Sequence, residues 1–324
     1  MWRFFLERKW AFWSWGGAAF ILTTLWYQVE LDVAINTWFG DFYDTLVAAL
    51  STPGAVTMPE YLAFLFEFML YASGIIVLHL IGSFFTSHWL FRWRQSMVER
   101  YHEVYSLARN IEGASQRVQE DTVKFSRILE GLGTSFIESI MVLVQFFPIL
   151  VALGAGIPIM FFGDWEFGLV TAAIIWAVGG TALMLLLGWV LRLVGVEYDL
   201  QKKEAAYRKV LVIAEDDGEV RPKTMDELFS DVRSIHFKSY IRYVYMNLGR
   251  IMYLQANVLV PYVLFAPTIV SGLVTLGAFQ QAVRAFGRVE GSMQYLFKAW
   301  PTIIELLSVI KRLHEFESKI KEME

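Results

Sequence analysis

The sequence predicts an all-α polytopic membrane protein, with six transmembrane helices and both ends in the cytoplasm. Three observations carry this. Apolar residues make up 56% of the 324 and charged residues 19%, and the apolar excess lies in long blocks. Soluble domains sit near 45–50% and about 25%. Lys and Arg fall on alternate sides of the blocks. The polar segments on the basic side have the composition of helices rather than loops.

A helix needs about 20 mostly apolar residues to cross a bilayer. Spans are expected near residues 10–29, 61–88, 134–154, 168–191, 251–273 and 279–308, in a single domain over 1–324. Trp10–Val29 is uncharged. It is too long for a signal-peptide core and no A-x-A-like site follows, so it reads as an uncleaved first span. Tyr61–Phe91 carries Glu67, and Phe136–Leu153 carries Glu138. Gly168–Leu191 and Ile251–Val283 are uncharged. The last candidate, Phe279–Ile310, is interrupted by Arg284, Arg288, Glu290, Lys298 and Glu305.

The basic residues orient these spans. Glu30–Glu60, read as a loop, holds five acids and no Lys or Arg. The loops Gly154–Phe167 and Ser271–Gln280 also lack both. His88–Thr134 holds seven, Gly188–Met252 eleven and residues 1–10 three. The positive-inside rule therefore puts the basic segments in the cytoplasm. Trp2, Trp10, Trp13, Trp15, Trp26 and Trp38 flank the first span, as interfacial aromatic belts do. His88–Leu132 and Leu191–Tyr245 are poor in Pro and Gly and rich in helix formers, so they read as helices running on past the membrane. Ala214–Lys223 reads as a turn between two such helices, with a Thr224–Glu227 capping box opening the second.

Much chemistry is excluded. With no cysteine there are no disulfides or thiolate sites. No P-loop, H-E-x-x-H or G-x-S-x-G is present, and the five histidines lack metal-ligand spacing, so no cofactor and no enzyme are indicated. A net charge of −4 without a basic run argues against nucleic acid as a partner.

Carboxylates in or near the membrane remain. Glu197, Glu204 and Glu215 are 7 and 11 residues apart and fall within roughly 20° of one helical line. Glu112 and Glu130 share a face on the other extension, and Glu138 lies just inside the third span. Acids in a membrane cavity are costly to charge, so protonation can be coupled to a conformational change. The plainer alternative is that they line solvated helix faces beside Lys and Arg. In the sixth candidate span, Arg284, Arg288, Lys298, Thr302 and Glu305 share one arc. The opposite side carries Phe286, Val289, Leu296, Phe297, Ile303, Ile304 and Leu307. A crossing that lines a wet cavity is expected. His79 in the second span is read as a structural histidine in preference to a proton relay. Gly16-Gly17 and Gly179-Gly180 permit close helix approach.

Several stretches resemble a known family. These are AINTWFGDFYDTL (34–46), FTSHWLFRWRQSMVERY (85–101), NIEGASQRVQEDTVKFSRILEGLGTSFI (110–137), EYDLQKKEAAYRKVLVIAEDD (197–217) and SMQYLFKAWPTIIELLSVIKRLHEFE (292–317). They are similar to the SbmA/BacA-like peptide transporters of bacterial inner membranes, over essentially the whole chain. The resemblance implies a homodimer with the transmembrane fold of ABC exporters but no ATPase domain, embedded in lipid. It also implies uptake of peptide antibiotics driven by protons, with cavity glutamates as coupling groups. It carries Glu130, Glu204, Glu215 and Asp216 as coupling residues, beside Glu197 and Glu138 from spacing and depth. For the substrate cavity it adds Glu120, Glu30 and Tyr43 to Arg288, Lys298 and Glu305. Longer members have helices ahead of the position of residue 1. Ile213, Glu290 and Lys298 depart from the family pattern, and cations at 288 and 298 disfavour strongly cationic peptides. The alternative function is the membrane subunit of an ABC exporter whose nucleotide-binding domain is a separate chain.

Overall fold

The computed structural model describes residues 2–109, 111, 114–217 and 222–323. Apart from an isolated bridge between Ile159 and Gly163, the regular structure among them is helical. The principal helices are α1 (Arg3–Leu6), α2 (Gly17–Ser51), α3 (Met58–Glu103), α4 (Thr122–Gly154), α5 (Gly168–Val190), α6 (Leu193–Asp217), α7 (Pro222–Leu264), α8 (Leu276–Lys298) and α9 (Trp300–Met323). Among the described residues, four helical stretches are long and apolar enough to cross a membrane: Phe12–Ser51, Met58–Glu103, Ala114–Gly154 and Gly168–Val190.

Four elements differ from the sequence reading. The first concerns Glu30–Glu60. Helix α2 runs unbroken to Ser51, because the acids between Glu30 and Asp44 interrupt neither the helix-compatible spacing nor the run with a Pro or a breaking Gly. Helix α3 then opens with a capping box, Thr57 to Glu60, and a Pro in its first turn. The second concerns the turn before Thr224. Helix α7 begins at Pro222, two residues ahead of Thr224, as a Pro at a helix start allows. The third is the last candidate span, which is two helices. The chain breaks after Lys298 and resumes at Trp300, where Pro301 has no N–H to continue the ladder of α8. The fourth concerns the polar extensions: Leu191–Tyr245 is helical in α6 and α7, whereas His88–Leu132, read as one helix, is helical to Glu103, breaks at Val104 and rejoins a long helix only in α4.

The chain forms two compact units, Met1–Ile175 with Leu264–Glu324, and Trp176–Val263. In the first, α2 packs on α3 and α8, and α4 packs on α8, α3 and α2. The α2–α8 contact is close. A Cβ on Gly277 would lie 2.0 Å from the Gly40 carbonyl oxygen and 2.6 Å from Asp44 Cγ. Glycine at 277 therefore lets the two backbones meet. Asp44 reaches from α2 to the start of α8, accepting the Gly277 N–H at 2.8 Å and the Thr275 hydroxyl at 2.9 Å. A carboxylate there satisfies an orphan N–H and the positive end of the helix together. Of the paired glycines, Gly17 abuts Trp89, whereas Gly16 has only Phe12 at the edge of contact.

The same unit has an apolar core at the end where the N-terminal segment, the end of α3, the start of α4, and α9 converge. Phe4, Trp10, Trp93, Met97, Tyr101, Phe125, Leu313 and Phe316 lie in it, all at most 8% exposed. Fully burying such side chains contributes about 1.5–3 kcal/mol each. Asp121, ahead of the apolar stretch of α4, fixes α9 to this core. It accepts from Arg312 at 2.8 and 3.2 Å and from Arg117 at 2.8 Å. Burial works against its charge, but the hydrogen bonds and charges of Arg312 and Arg117 outweigh this and hold its pKa below the usual aspartate value. Lys9–Glu99 at 2.7 Å and Arg3–Glu103 at 2.8 Å tie the N-terminal segment to α3.

In the second unit, α6 and α7 are joined by Glu204–His236 at 2.9 Å and Lys203–Asp231 at 3.2 Å. Arg242 donates to the carbonyls of Leu191 and Arg192, at the break between α5 and α6. A Cβ at Gly180 would strike the Tyr253 ring, so this glycine admits the aromatic that stacks on Trp176, while Gly179 faces open space.

Candidate functional site

The site grows from three polar stripes at helical spacing. On α3, His79, Ser83 and Ser87 recur every four residues. On α4, Glu130, Thr134 and Glu138 do the same. Residues four apart lie one above the other on one helix face. On α2, Gln28 joins the apolar Ile21 and Leu25. The three faces enclose a cavity of about 120 Å³ lined by Gln28, His79, Ser83, Thr86, Ser87, Glu130, Thr134, Ser135 and Glu138. The Ser87 hydroxyl donates to Glu130. Gly82 on this face approaches Thr24, which narrows the gap between α2 and α3.

Ser135 and Glu138 also line a second cavity, of about 250 Å³. Its remaining walls are Ser139 and Val142 from α4, and Gly287, Arg288, Gly291, Ser292 and Tyr295 from α8. Glu138 thus faces His79 and Glu130 on one side and Arg288 on the other. Small residues at 287 and 291 provide the space.

Behind Arg288 lies a charged cluster between α2 and α8. The Asp32 side chain is 10% exposed and takes two cations. Arg284 Nη2 donates to Oδ1 at 2.6 Å, and Arg288 Nη2 lies 2.5 Å from Oδ2 as an ion pair without hydrogen-bond alignment. Arg284 also lies over the Phe39 ring at 5.1 Å. The Nε atoms of both arginines have no hydrogen-bond partner. Asn36, one turn beyond Asp32, is fully buried with both side-chain polar atoms unpartnered. One carboxylate facing two guanidiniums leaves an excess of one positive charge beside the larger cavity.

Of the residues singled out in the sequence, Glu130, Glu138 and His79 come together. His79, expected as a structural histidine, lines the cavity and makes no hydrogen bond among the described residues. Arg288 lines the adjoining cavity. The others lie elsewhere. Glu204 pairs with His236 and Glu197 is half-buried, both in the second unit. Glu305 pairs with Lys124 at 2.7 Å, and Lys298 reaches back to Gln294 at 2.6 Å. Glu290, whose neighbour Gln294 donates to it, is buried. Glu30 and Glu120 are exposed, and Tyr43 stacks on Phe39. Glu112 and the side chains of Ile213, Glu215, Asp216, Leu296, Phe297 and Ile304 lie outside the described residues. No group of three or more metal-ligating side chains occurs among the described residues.

Sequence reasoning missed Asp32 and Asn36. The signal was present: Gln28, Asp32 and Asn36 form a polar stripe at four-residue spacing, which has meaning only if the helix continues past residue 29.

Residues 7–321 match the SbmA/BacA-like family. Among curated proteins, the chain is 24% identical over 305 residues to the "Inner membrane ABC transporter ATP-binding protein YddA" of Escherichia coli (strain K12). That alignment covers 89% of this chain and 54% of the relative. It is 26% identical over 246 residues to the "Uncharacterized ABC transporter ATP-binding protein sll0182" of Synechocystis sp. (strain ATCC 27184 / PCC 6803 / Kazusa), covering 69% of this chain and 35% of the relative. The chain therefore spans about half the length of the first relative and about a third of the second. Apolar helices of spanning length and a match over nearly the whole chain together make it a membrane protein of the SbmA/BacA-like family.

Proposed function

We propose that the chain imports peptides across the bacterial inner membrane, using the proton gradient, as a homodimer of six-span subunits with cytoplasmic ends. The observation that carries this reading is the joined pair of cavities. Glu130, Glu138 and His79 line the first, Glu138 continues into the second, and Arg288 lines the second from α8. Carboxylates at membrane depth mark proton and ion routes. Their protonation removes charge from the space between α3, α4 and α8, so a proton entering from outside and leaving to the cytoplasm shifts the balance between two packings of these helices. Glu204, Glu215 and Asp216, following the family resemblance, and Glu197, from its helical spacing, extend the set of coupling acids on the cytoplasmic side.

A second reading is favoured by one specific observation: the relatives in E. coli and Synechocystis are named as ATP-binding proteins of ABC transporters. The chain would then be the membrane part of an ATP-driven system. Purified chain in proteoliposomes separates the two. Uptake of a labelled peptide under an inward proton gradient, with no nucleotide present, supports proton coupling. Uptake that requires ATP and an added nucleotide-binding protein, and ignores the gradient, supports the second reading.

A further inference from the structure

The larger cavity has chemistry that proton coupling alone does not use. Arg288 lines it and pairs with Asp32 through Nη2, while its Nε has no hydrogen-bond partner among the described residues. Asp32 is already held by Arg284, so the cluster keeps a net positive charge. Ser292 and Tyr295 stand on the same wall, about one and two helical turns along from Arg288, and neither hydroxyl has a partner among the described residues. Across the space is Glu138, which has neither a hydrogen bond nor an ion pair among the described residues. At about 250 Å³ the cavity holds several waters, each occupying about 30 Å³ of liquid, or the end group of a peptide.

We propose that this cavity is a carboxylate-binding subsite, formed by Arg288, Ser292 and Tyr295, whose affinity for a peptide's free carboxylate depends on protonation of Glu138. It rests on the transport reading above and names the substrate chemistry that reading lacks.

The physical reason is competition for one cation. When Glu138 is ionised, its charge opposes that of an entering carboxylate and draws on the positive potential of Arg288. When Glu138 carries a proton, it becomes a hydrogen-bond donor, and the excess charge of the Asp32–Arg284–Arg288 cluster is free for the ligand. Proton and carboxylate then bind cooperatively, and by linkage each raises the affinity for the other. The remaining titratable groups around Glu138 do not replace it. From α3 there is His79, from its own helix Glu130, and from α2 only the neutral Gln28 lines the shared cavities. On α8, Glu290 and Lys298 each engage Gln294.

The test uses purified full-length chain and two probes, trialanine with a free C-terminal carboxylate and trialanine amide. Binding is measured by calorimetry at acidic and at alkaline pH. For the wild type, the free acid is expected to bind roughly fivefold or more tightly at acidic pH, the lower end of ordinary site-to-site coupling, while the amide shows no such gain. Glu138→Gln should bind the acid tightly at both pH values. Arg288→Gln should lose the preference for acid over amide, and Arg288→Lys should recover part of it. A thermal unfolding scan on each variant separates loss of binding from loss of fold.

Equal affinity for acid and amide, absence of binding by both, or a pH response that survives Glu138→Gln overturns the subsite. Gradient-driven uptake of both peptides is measured in parallel. Uptake that continues equally for acid and amide removes the subsite and leaves the transport reading standing, whereas uptake indifferent to the gradient removes the transport reading itself.

Discussion

Replacing Asp32 with Asn tests whether the charged cluster between α2 and α8 holds these helices together. The substitution keeps size and shape and removes one negative charge. Arg284 and Arg288 are four residues apart on one helix face, roughly 6 Å between side-chain roots. At an effective dielectric near 20, two unit charges at about 6 Å repel by roughly 3 kcal/mol. Asp32 now offsets that repulsion at 2.6 and 2.5 Å. Breaking a fully buried pair costs about 3–5 kcal/mol. Here the carboxylate is buried but the two guanidiniums are 31% and 39% exposed, which moves the estimate down to about 2–4 kcal/mol. A loss of that size should lower the unfolding midpoint in mild detergent by roughly 5–10 °C. The assay is a thermal scan of purified protein, following intrinsic tryptophan fluorescence. Adding Arg284→Met to Asp32→Asn removes the repulsion and should recover more than half of the loss. A midpoint for Asp32→Asn within about 1 °C of wild type would refute the reasoning, and so would a double variant no more stable than the single one.

Three further outcomes are expected. Gly277→Ala places a methyl 2.0 Å from the Gly40 carbonyl oxygen and displaces Asp44, so it should destabilise by about 1–3 kcal/mol, measurable in the same scan, whereas Gly287→Ala, which meets nothing within 4 Å, should be silent. Asp121→Asn removes the anion shared by Arg312 and Arg117, and should loosen α9 by about 1–3 kcal/mol, seen as faster hydrogen exchange over residues 300–323. Because the Asp121 pKa is depressed, its contribution is complete above the unfolded value near 3.9 and is lost only as pH falls through the lower folded value, so the wild-type protection of these amides, taken relative to their intrinsic exchange rate at each pH, should not change between neutral pH and about pH 5. Cysteine at Thr45 or Asp164 should react with an impermeant thiol reagent from outside intact cells, and cysteine at Ser106 should not; the reverse pattern would invert the orientation drawn from Lys and Arg.

How much of this was legible in the sequence varies by element. The long helices could be read from the apolar blocks and from the helix-forming composition of the polar segments. Their ends were harder. The acids after Glu30 suggested a water-exposed loop, yet Asp32 is buried because its two partners lie 252 and 256 residues later, and no local pattern announces a tertiary ion pair. The break between Lys298 and Trp300 was legible in Pro301, but the amphipathic spacing on either side stays in phase and hides it. For the site, Glu138 and His79 were noticeable as polar residues inside apolar spans, and Glu130 through the face that it shares with Glu112 and the family resemblance. Their convergence was not, because it depends on how α3 and α4 are rotated about their axes. The alignment of Glu197 with Glu204 was a correct statement about one helix. It could not tell that Glu204 would find His236 on the next helix.

The central claim is that peptide import is coupled to proton movement through Glu130 and Glu138. The most direct measurement is the proton movement that peptide itself drives. Purified chain is sealed in proteoliposomes with a pH-sensitive dye inside, with no imposed gradient and no nucleotide, and peptide is added outside to vesicles of inside-in orientation. Coupled import predicts that peptide acidifies the lumen with wild-type chain and fails to do so with Glu130→Gln, though both proteins bind peptide. A lumen whose pH does not change in the wild type while peptide enters, or equal acidification in the Glu130→Gln protein, would contradict the account.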